Sequence, residues 1–329
     1  MMVLAGVLPA ASTVLAEDKP MRVGLIGLDT SHVIAFTQVL NDASDKQYVP
    51  GCKVVAGYPG GSPDVESSHT RVDKYTNELR DKYGVEIVDS IETLCEKVDF
   101  VLLESVDGRP HLEQVKPVFA AGKPLFIDKP LAGSLADAIE IFQLAEKHNV
   151  PCFSSSSLRF SSGILGMRNN DKVGKVLGCD AWSPCSLEPH HPDLFWYGVH
   201  GVEILFTIMG PGCETVARAH TDGIDVVTGI WTGGRIGTYR GIRDGQSGYG
   251  ATVFGEKSIA PAGSYEGYVP LVREIVKFFK SGKSPVDPKE TIEMFAFMTA
   301  ADLSKQRGGT PVKITEVMAA AEKQIASRK

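Results

Sequence analysis

Arg22-Val23-Gly24-Leu25-Ile26-Gly27-Leu28 is a run of apolar and small residues behind one arginine, followed at once by Asp29-Thr30-Ser31-His32. A run that is apolar at successive positions, not alternate ones, suits a parallel strand covered on both faces. The next twelve residues, SHVIAFTQVLND, place Val33, Phe36, Val39 and Leu40 on one helical face. The two segments read as the first strand–helix unit of a parallel sheet.

The alternation continues outward. CKVVAGY is a second strand, and TRVDKYTNELRDKYG is a helix stopped by Gly84. VEIV, IETLCEKV, DFVLLES, HLEQVKPVFAAG, PLFID and LADAIEIFQLAEKHN follow, and VPCFSS closes the series near Ser155. Six strands with intervening helices predict a Rossmann-type doubly wound sheet over residues 20–155. Beyond about residue 156 the texture changes. A helix from about Trp196 to Met209 precedes strand-like runs at ETVARAH, DVVTGIW, RIGTYRGI and YGATVFG, separated by Gly and Asp turns. They predict an open, mostly antiparallel sheet. Two further helices and a last amphipathic one, ITEVMAAAEKQIA, complete an α+β domain over residues 156–329, with the last helix expected to pack back on the first domain.

Composition narrows the function classes. The 329 residues carry a formal charge of −6 and no Lys/Arg run, so nothing marks a nucleic-acid partner. None of the six cysteines forms a CxxC pair, and Cys52 and Cys152 lie in apolar runs. Residues 3–16 (VLAGVLPAASTVLA) are small and apolar and end like a signal-peptidase site, although no Lys or Arg precedes them. Residues 1–18 are therefore a candidate leader, with export and a cytoplasmic location both open. That run is shorter than the roughly 20 residues of a membrane span, and no other stretch qualifies.

The first strand–helix turn should hold a phosphate. A dinucleotide fold uses G-x-G-x-x-G there. Here the six residues are Gly27-Leu28-Asp29-Thr30-Ser31-His32, and only the first glycine remains. Asp29 precedes a helix, where a carboxylate can cap it, and where an incoming pyrophosphate would also lie. Two like charges about 4 Å apart repel by roughly 1–4 kcal/mol. Asp29 is thus either a cap alone or a cap beside a nucleotide site in which the Thr30 and Ser31 hydroxyls assist. The second strand ends Ala56-Gly57-Tyr58-Pro59 without the acid that usually binds the adenosine ribose. Asp64 and Glu66 could substitute, or Ser62 could meet a phosphorylated ribose.

Phe126-Ile127-Asp128-Lys129-Pro130-Leu131 stands where the fifth strand ends, a ligand position in this architecture. Here the chain resembles the Gfo/Idh/MocA family of oxidoreductases (glucose–fructose oxidoreductase, inositol dehydrogenase and rhizopine catabolism proteins), which carry E-K-P or D-K-P at this point. The resemblance implies that Lys129 contacts substrate and cofactor. Trp196-Tyr197-Gly198-Val199-His200-Gly201-Val202-Glu203 resembles the family's second signature, D-x-G-x-H with an acid three residues on. Trp196 replaces the aspartate. The resemblance makes His200 the general acid/base, a role suited to an imidazole. On a helix Glu203 shares its face and could orient it, with Trp196 as a wall of the site.

Glu188-Pro189-His190-His191-Pro192-Asp193 leads into that helix. Neighbouring histidines on an extended loop point apart and no metal-ligand spacing is present, so no metal is expected; His190 and His191 are candidates for sugar hydrogen bonds, with Tyr197 and Glu203. Arg109 and His111 follow the fourth strand, where family members meet the nicotinamide half. The expected cofactor is NAD or NADP, its contacts Gly27, Asp29, Thr30, Ser31, His32, Tyr58, Arg109, His111, Asp128 and Lys129. The expected substrate is a sugar, polyol or related carbohydrate. The resemblance also implies a homo-oligomer, a dimer or tetramer. Two alternatives stay open: a closed-cycle NAD-assisted glycoside lyase or hydrolase, and a non-catalytic carbohydrate-binding protein that has lost the cofactor.

Overall fold

A computed structural model describes residues 19–328. The candidate leader, residues 1–18, lies outside the described residues. In the first domain, strand β1 (Met21–Ile26) leads to α1 (Ser31–Asn41), β2 (Cys52–Tyr58), α2 (Glu66–His69), α3 (Val72–Tyr83) and β3 (Glu86–Ile87). Then come α4 (Ile91–Lys97), β4 (Phe100–Leu103), α5 (His111–Ala120), β5 (Leu125–Ile127), α6 (Leu135–His148) and β6 (Cys152–Ser154). The strands form one sheet in the order β3-β2-β1-β4-β5-β6, all pairs parallel. This is the doubly wound Rossmann order. Val23, Leu25 and Ile26 are fully buried, as a strand covered on both faces requires. Helix boundaries follow local chemistry: Ser134 Oγ accepts from the Asp137 amide to start α6, and Asn149 ends it in the left-handed region.

The second domain begins with the short α7 (Ser162–Leu165) and β7 (Val176–Pro184), then α8 (Val199–Met209), β8 (Cys213–His220), β9 (Ile224–Trp231), β10 (Arg235–Ile242), β11 (Gly250–Gly255) and β12 (Ile259–Pro261). Helices α9 (Val269–Ser281) and α10 (Pro288–Gln306), strand β13 (Val312–Lys313) and α11 (Ile314–Ala326) complete it. The sheet runs β12-β11-β7-β10-β9-β8-β13. Every pair is antiparallel except β7–β10, so the sheet is mixed but mostly antiparallel. The sequence reading missed β7, whose glycine, aspartate and terminal proline weaken its strand signal. The helix expected from Trp196 has a different start: Leu194–Gly198 is one π-helical turn, and regular α-helix begins at Val199.

The two halves share core. Helix α9 lies against the first sheet, with Phe278 5.0 Å from Phe153 and Phe279 4.5 Å from Phe100, ring centre to ring centre. On the opposite side α10 and α11 pack on α6, and Arg328 pairs with Asp137 and Glu140. Among the described residues all six cysteines are free and buried, and no helix is long and apolar enough to cross a membrane.

Candidate active site

Where the C-terminal ends of β1, β4 and β5 meet the second domain, a cavity of about 380 Å³ opens. The first domain lines it with Thr30, Ser31 and His32 from the start of α1, Val106 beyond β4, and Lys129 beyond β5. Ser67 and Arg71, from the segment between β2 and α3, line it too. The second domain adds Ser157, Leu158, Ser186, Trp196, Tyr197 and His200, and the tyrosines Tyr249, Tyr265 and Tyr268. Lys129 and His200, seventy-one positions apart in sequence, thus line one cavity with the phosphate turn.

The turn itself explains why only one glycine is needed. Gly27 has φ +82°, and a Cβ there would stand 2.4 Å from the Ser105 backbone. Asp29 is not the helix cap. Thr30 is, with extended backbone and its Oγ1 accepting from the His32 amide. Asp29 Oδ1 instead accepts from the Val106 amide at 3.0 Å, and Oδ2 accepts from the Ser68 hydroxyl at 2.6 Å. The side chain is fully buried, and burial raises its pKa against those two hydrogen bonds. Its two oxygens are therefore engaged by Val106 and Ser68 and do not cap the helix start, which lessens the repulsion expected for a phosphate there.

His200 is buried, with Nδ1 2.8 Å from Ser156 Oγ, between the rings of Tyr197 and Tyr249. Burial first, and then the neighbouring Lys129 and His32, hold its pKa well below the usual histidine value. Glu203 does not orient it. That carboxylate accepts from Arg159 Nε, from the Ser155 hydroxyl at 3.2 Å and from the Ser156 amide at 3.4 Å. A buried guanidinium out-competes an imidazole for it, and Arg159 also binds Glu290 at 2.8 Å.

His32 Nδ1 lies 2.6 Å from Asp128 Oδ2, and its ring meets Tyr268 edge-on at 4.7 Å. Burial opposes ionisation of Asp128, but His32 and Lys129 outweigh it and keep the carboxyl low. Glu104, just past β4, faces the same pair and is also fully buried. Burial and the Asp128 charge push its pKa far up. The sequence reading passed over Glu104 because an acid at the end of a buried strand has no motif of its own.

The remaining expected contacts lie outside the cavity lining. His111 is fully buried, its two ring nitrogens each 3.0 Å from a backbone carbonyl, those of Leu131 and Ser105. Arg109 is clasped between Asp64 and Asp107. His191 and His190 point apart: His191 Nε2 meets Asp107 Oδ1 at 2.7 Å, and His190 Nδ1 meets Glu188 at 2.7 Å. Burial opposes ionisation of Asp107 too, but His191, Arg109 and Ser62 hold it far below the ordinary carboxylate range. Tyr58 offers its carbonyl to the Gly27 amide at 3.0 Å, which ties β2 to the turn. Ser62 bonds Asp107 at 2.6 Å. Arg71 was missed because it stands thirteen residues past the strand end where a phosphate-binding arginine would be sought. No described carboxylate pairs with it, and Ser67 Oγ beside it is buried without a partner.

A nucleotide-type sheet, a second domain roofing its C-terminal edge, and Lys129 and His200 between them make up a two-domain architecture of the Rossmann class. Residues 21–156 match the GFO_IDH_MocA model, described as an oxidoreductase family with an NAD-binding Rossmann fold. The first domain is thus similar to the NAD-binding domain of that oxidoreductase family. Solved structures extend the likeness over most of the chain. A probable dehydrogenase from Thermotoga maritima is 23% identical, with a TM-score of 0.72 over 90% of this chain and 100% of its own. Myo-inositol 2-dehydrogenase from Lactobacillus plantarum is 15% identical, with a TM-score of 0.74 over 90% of this chain and 99% of its own. Scyllo-inositol dehydrogenase from Lactobacillus casei, solved with NAD(H) and scyllo-inositol, is 12% identical, with a TM-score of 0.74 over 90% and 100%. Among curated proteins none matches the chain.

Proposed function

We propose that the protein is an NAD(P)-dependent oxidoreductase that acts on a secondary hydroxyl of a sugar, an inositol or a related polyol. One observation carries the reading: Lys129 and His200 line the same cavity as the start of α1. The inositol dehydrogenases among the structural neighbours support the substrate class.

The lining suits the cofactor. The amides at the start of α1, the unpaired Arg71 and the partnerless Ser67 hydroxyl would hold its phosphates, and Val106 and Lys129 its nicotinamide end. When bound, the nicotinamide accepts or returns a hydride. Lys129 donates a hydrogen bond to the substrate hydroxyl and stabilises negative charge as it develops on that oxygen. His200 accepts the proton at Nε2 while Nδ1–H is donated to Ser156 Oγ; in the reverse direction the imidazolium so formed, still donating Nδ1–H to Ser156, returns the Nε2 proton. Trp196 and Tyr197 cover the apolar faces of a sugar ring, and the tyrosine hydroxyls meet its oxygens.

A closed redox cycle is a second reading, favoured by the latched segment over the turn. Ser68 bonds Asp29, Ser62 bonds Asp107 and Asp64 pairs with Arg109. Such a cover retains a cofactor between turnovers, as a lyase or hydrolase that oxidises and re-reduces its substrate needs. Mass spectrometry of small molecules released on denaturation, followed by titration of NADH and NADPH against tryptophan fluorescence, separates the cases. Exchangeable binding supports the dehydrogenase, and retained NAD(H) without exchange supports the closed cycle. Absence of both leaves a carbohydrate-binding protein and sinks the two enzymatic readings.

The outer face of the second sheet supports homo-oligomerisation. Ile236 stands directly across from Ile230 there and both are exposed, as is Leu177.

A further inference from the structure

Below the cavity, His32, Glu104 and Asp128 each bring one ligand atom within 4.8 Å of the others. They come from three places: the first turn of α1, the residue after β4 and the residue after β5. Proximity of acids alone is common. The second observation is separate from it: Glu104 is 0% exposed, yet neither of its oxygens has a hydrogen-bond partner. A buried carboxyl normally finds a donor for each oxygen, because a bare oxygen loses its hydration with nothing in return. The nearest imidazole nitrogen, His32 Nδ1, is 4.0 Å from Glu104 Oε2, too far for a hydrogen bond.

We infer that His32, Glu104 and Asp128 form a binding site for a divalent metal ion in the floor of the cavity. One imidazole nitrogen with two carboxylate oxygens is a mixed donor set suited to Mn²⁺ or Zn²⁺. An ion there supplies what the bare Glu104 oxygens lack. It also neutralises two carboxylates packed under the Lys129 ammonium, leaving that ammonium free for a ligand. His32 lines the cavity and gives the ion its entry path. The donor separation of 2.6 Å between His32 Nδ1 and Asp128 Oδ2 fits a hydrogen bond in the metal-free state and needs only a small opening for joint ligation.

The test uses the full chain stripped with chelator and reloaded with MnCl₂ or ZnCl₂. Binding is read by calorimetry and elemental analysis, and for Mn²⁺ by loss of the free-ion paramagnetic resonance signal. One ion per chain is expected, with a rise in Tm on loading. Glu104→Gln should weaken binding at least tenfold, and His32→Asn should do the same. Circular dichroism of both variants checks folding; if Glu104→Gln fails to fold, His32→Asn carries the test. No stoichiometric binding to the folded protein, or unchanged binding in a folded variant, overturns the site and means that Glu104 is a neutral carboxylic acid. Because metal content is measured without substrate or nicotinamide, these outcomes do not depend on the oxidoreductase reading.

Discussion

The imidazole of His200 is held by the Ser156 hydroxyl, 2.8 Å from Nδ1, and not by Glu203 on the same helix. A hydroxyl stabilises an imidazolium far less than a carboxylate does. His200 therefore stays neutral in the folded protein well below its ordinary pKa. The acid limb of the kcat/KM profile that belongs to His200 should fall clearly below pH 6.5. The same shift has a stability consequence. Below about pH 6.5 the unfolded chain takes up a proton that native His200 refuses, so stability declines as pH falls and is unaffected above pH 8. Thermal unfolding at pH 5.5 and 7.5 should show a smaller pH difference for His200→Asn than for the native protein. An equal difference would show that His200 titrates alike in both states.

Glu203 belongs to a buried ion-pair network. Glu203→Gln leaves the Arg159 guanidinium with one carboxylate in place of two, and should lower stability by about 3 kcal/mol. Urea unfolding measures that loss. The pH profile of turnover should keep its acid limb, because Glu203 does not touch the imidazole. A limb that moves with this substitution would restore Glu203 as the group that orients His200.

Asp107 couples the two domains by accepting from Arg109 and Ser62 on one side and His191 on the other. Asp107→Ala should cost about 3 kcal/mol of stability, since it strands the buried His191 imidazole and leaves Arg109 with Asp64 alone. Its low pKa adds stability above about pH 4 that is lost as the carboxylate protonates on further acidification. Acid unfolding of Asp107→Asn should accordingly be less steep than that of the native chain. Equal steepness would remove Asp107 from the acid transition.

Arg71 lines the cavity, and no described carboxylate pairs with it. Arg71→Ala should weaken NAD(P)H binding by about tenfold, the loss of one charge-assisted phosphate contact, and make the affinity less dependent on salt. Fluorescence titration at two ionic strengths reads both effects. Unchanged affinity would mean that the cofactor phosphates rest on α1 alone.

The fold was legible where local and global preferences agree. The buried strands of the first sheet and the Gly84 stop announce themselves by hydrophobic pattern and turn chemistry. Strand β7 did not, because its Gly178 and Asp180 pair with Ile236 and Thr238, strand partners that arrive much later in the chain. Asp128-Lys129-Pro130 and His200 were legible as motif residues. The partners of those residues were not: Ser156 behind His200, Arg159 on Glu203 and Glu104 beside Asp128 are joined only by tertiary packing. Asp29 shows the limit most plainly. Its position in sequence is that of a cap, yet Val106 beyond β4 and Ser68 of α2 draw its carboxylate away.

Hydride transfer is the central claim, and isotope tracing tests it most directly. The protein would be incubated with NAD⁺ or NADP⁺ and with inositols, aldoses and glycosides deuterated at the ring carbons, and the nicotinamide analysed by mass spectrometry. Deuterium should appear on the nicotinamide, whether released or retained, and Lys129→Ala and His200→Ala should slow its appearance by roughly 10²–10⁴-fold. Absence of deuterium on the cofactor with every substrate, or undiminished transfer in either variant, would contradict the account.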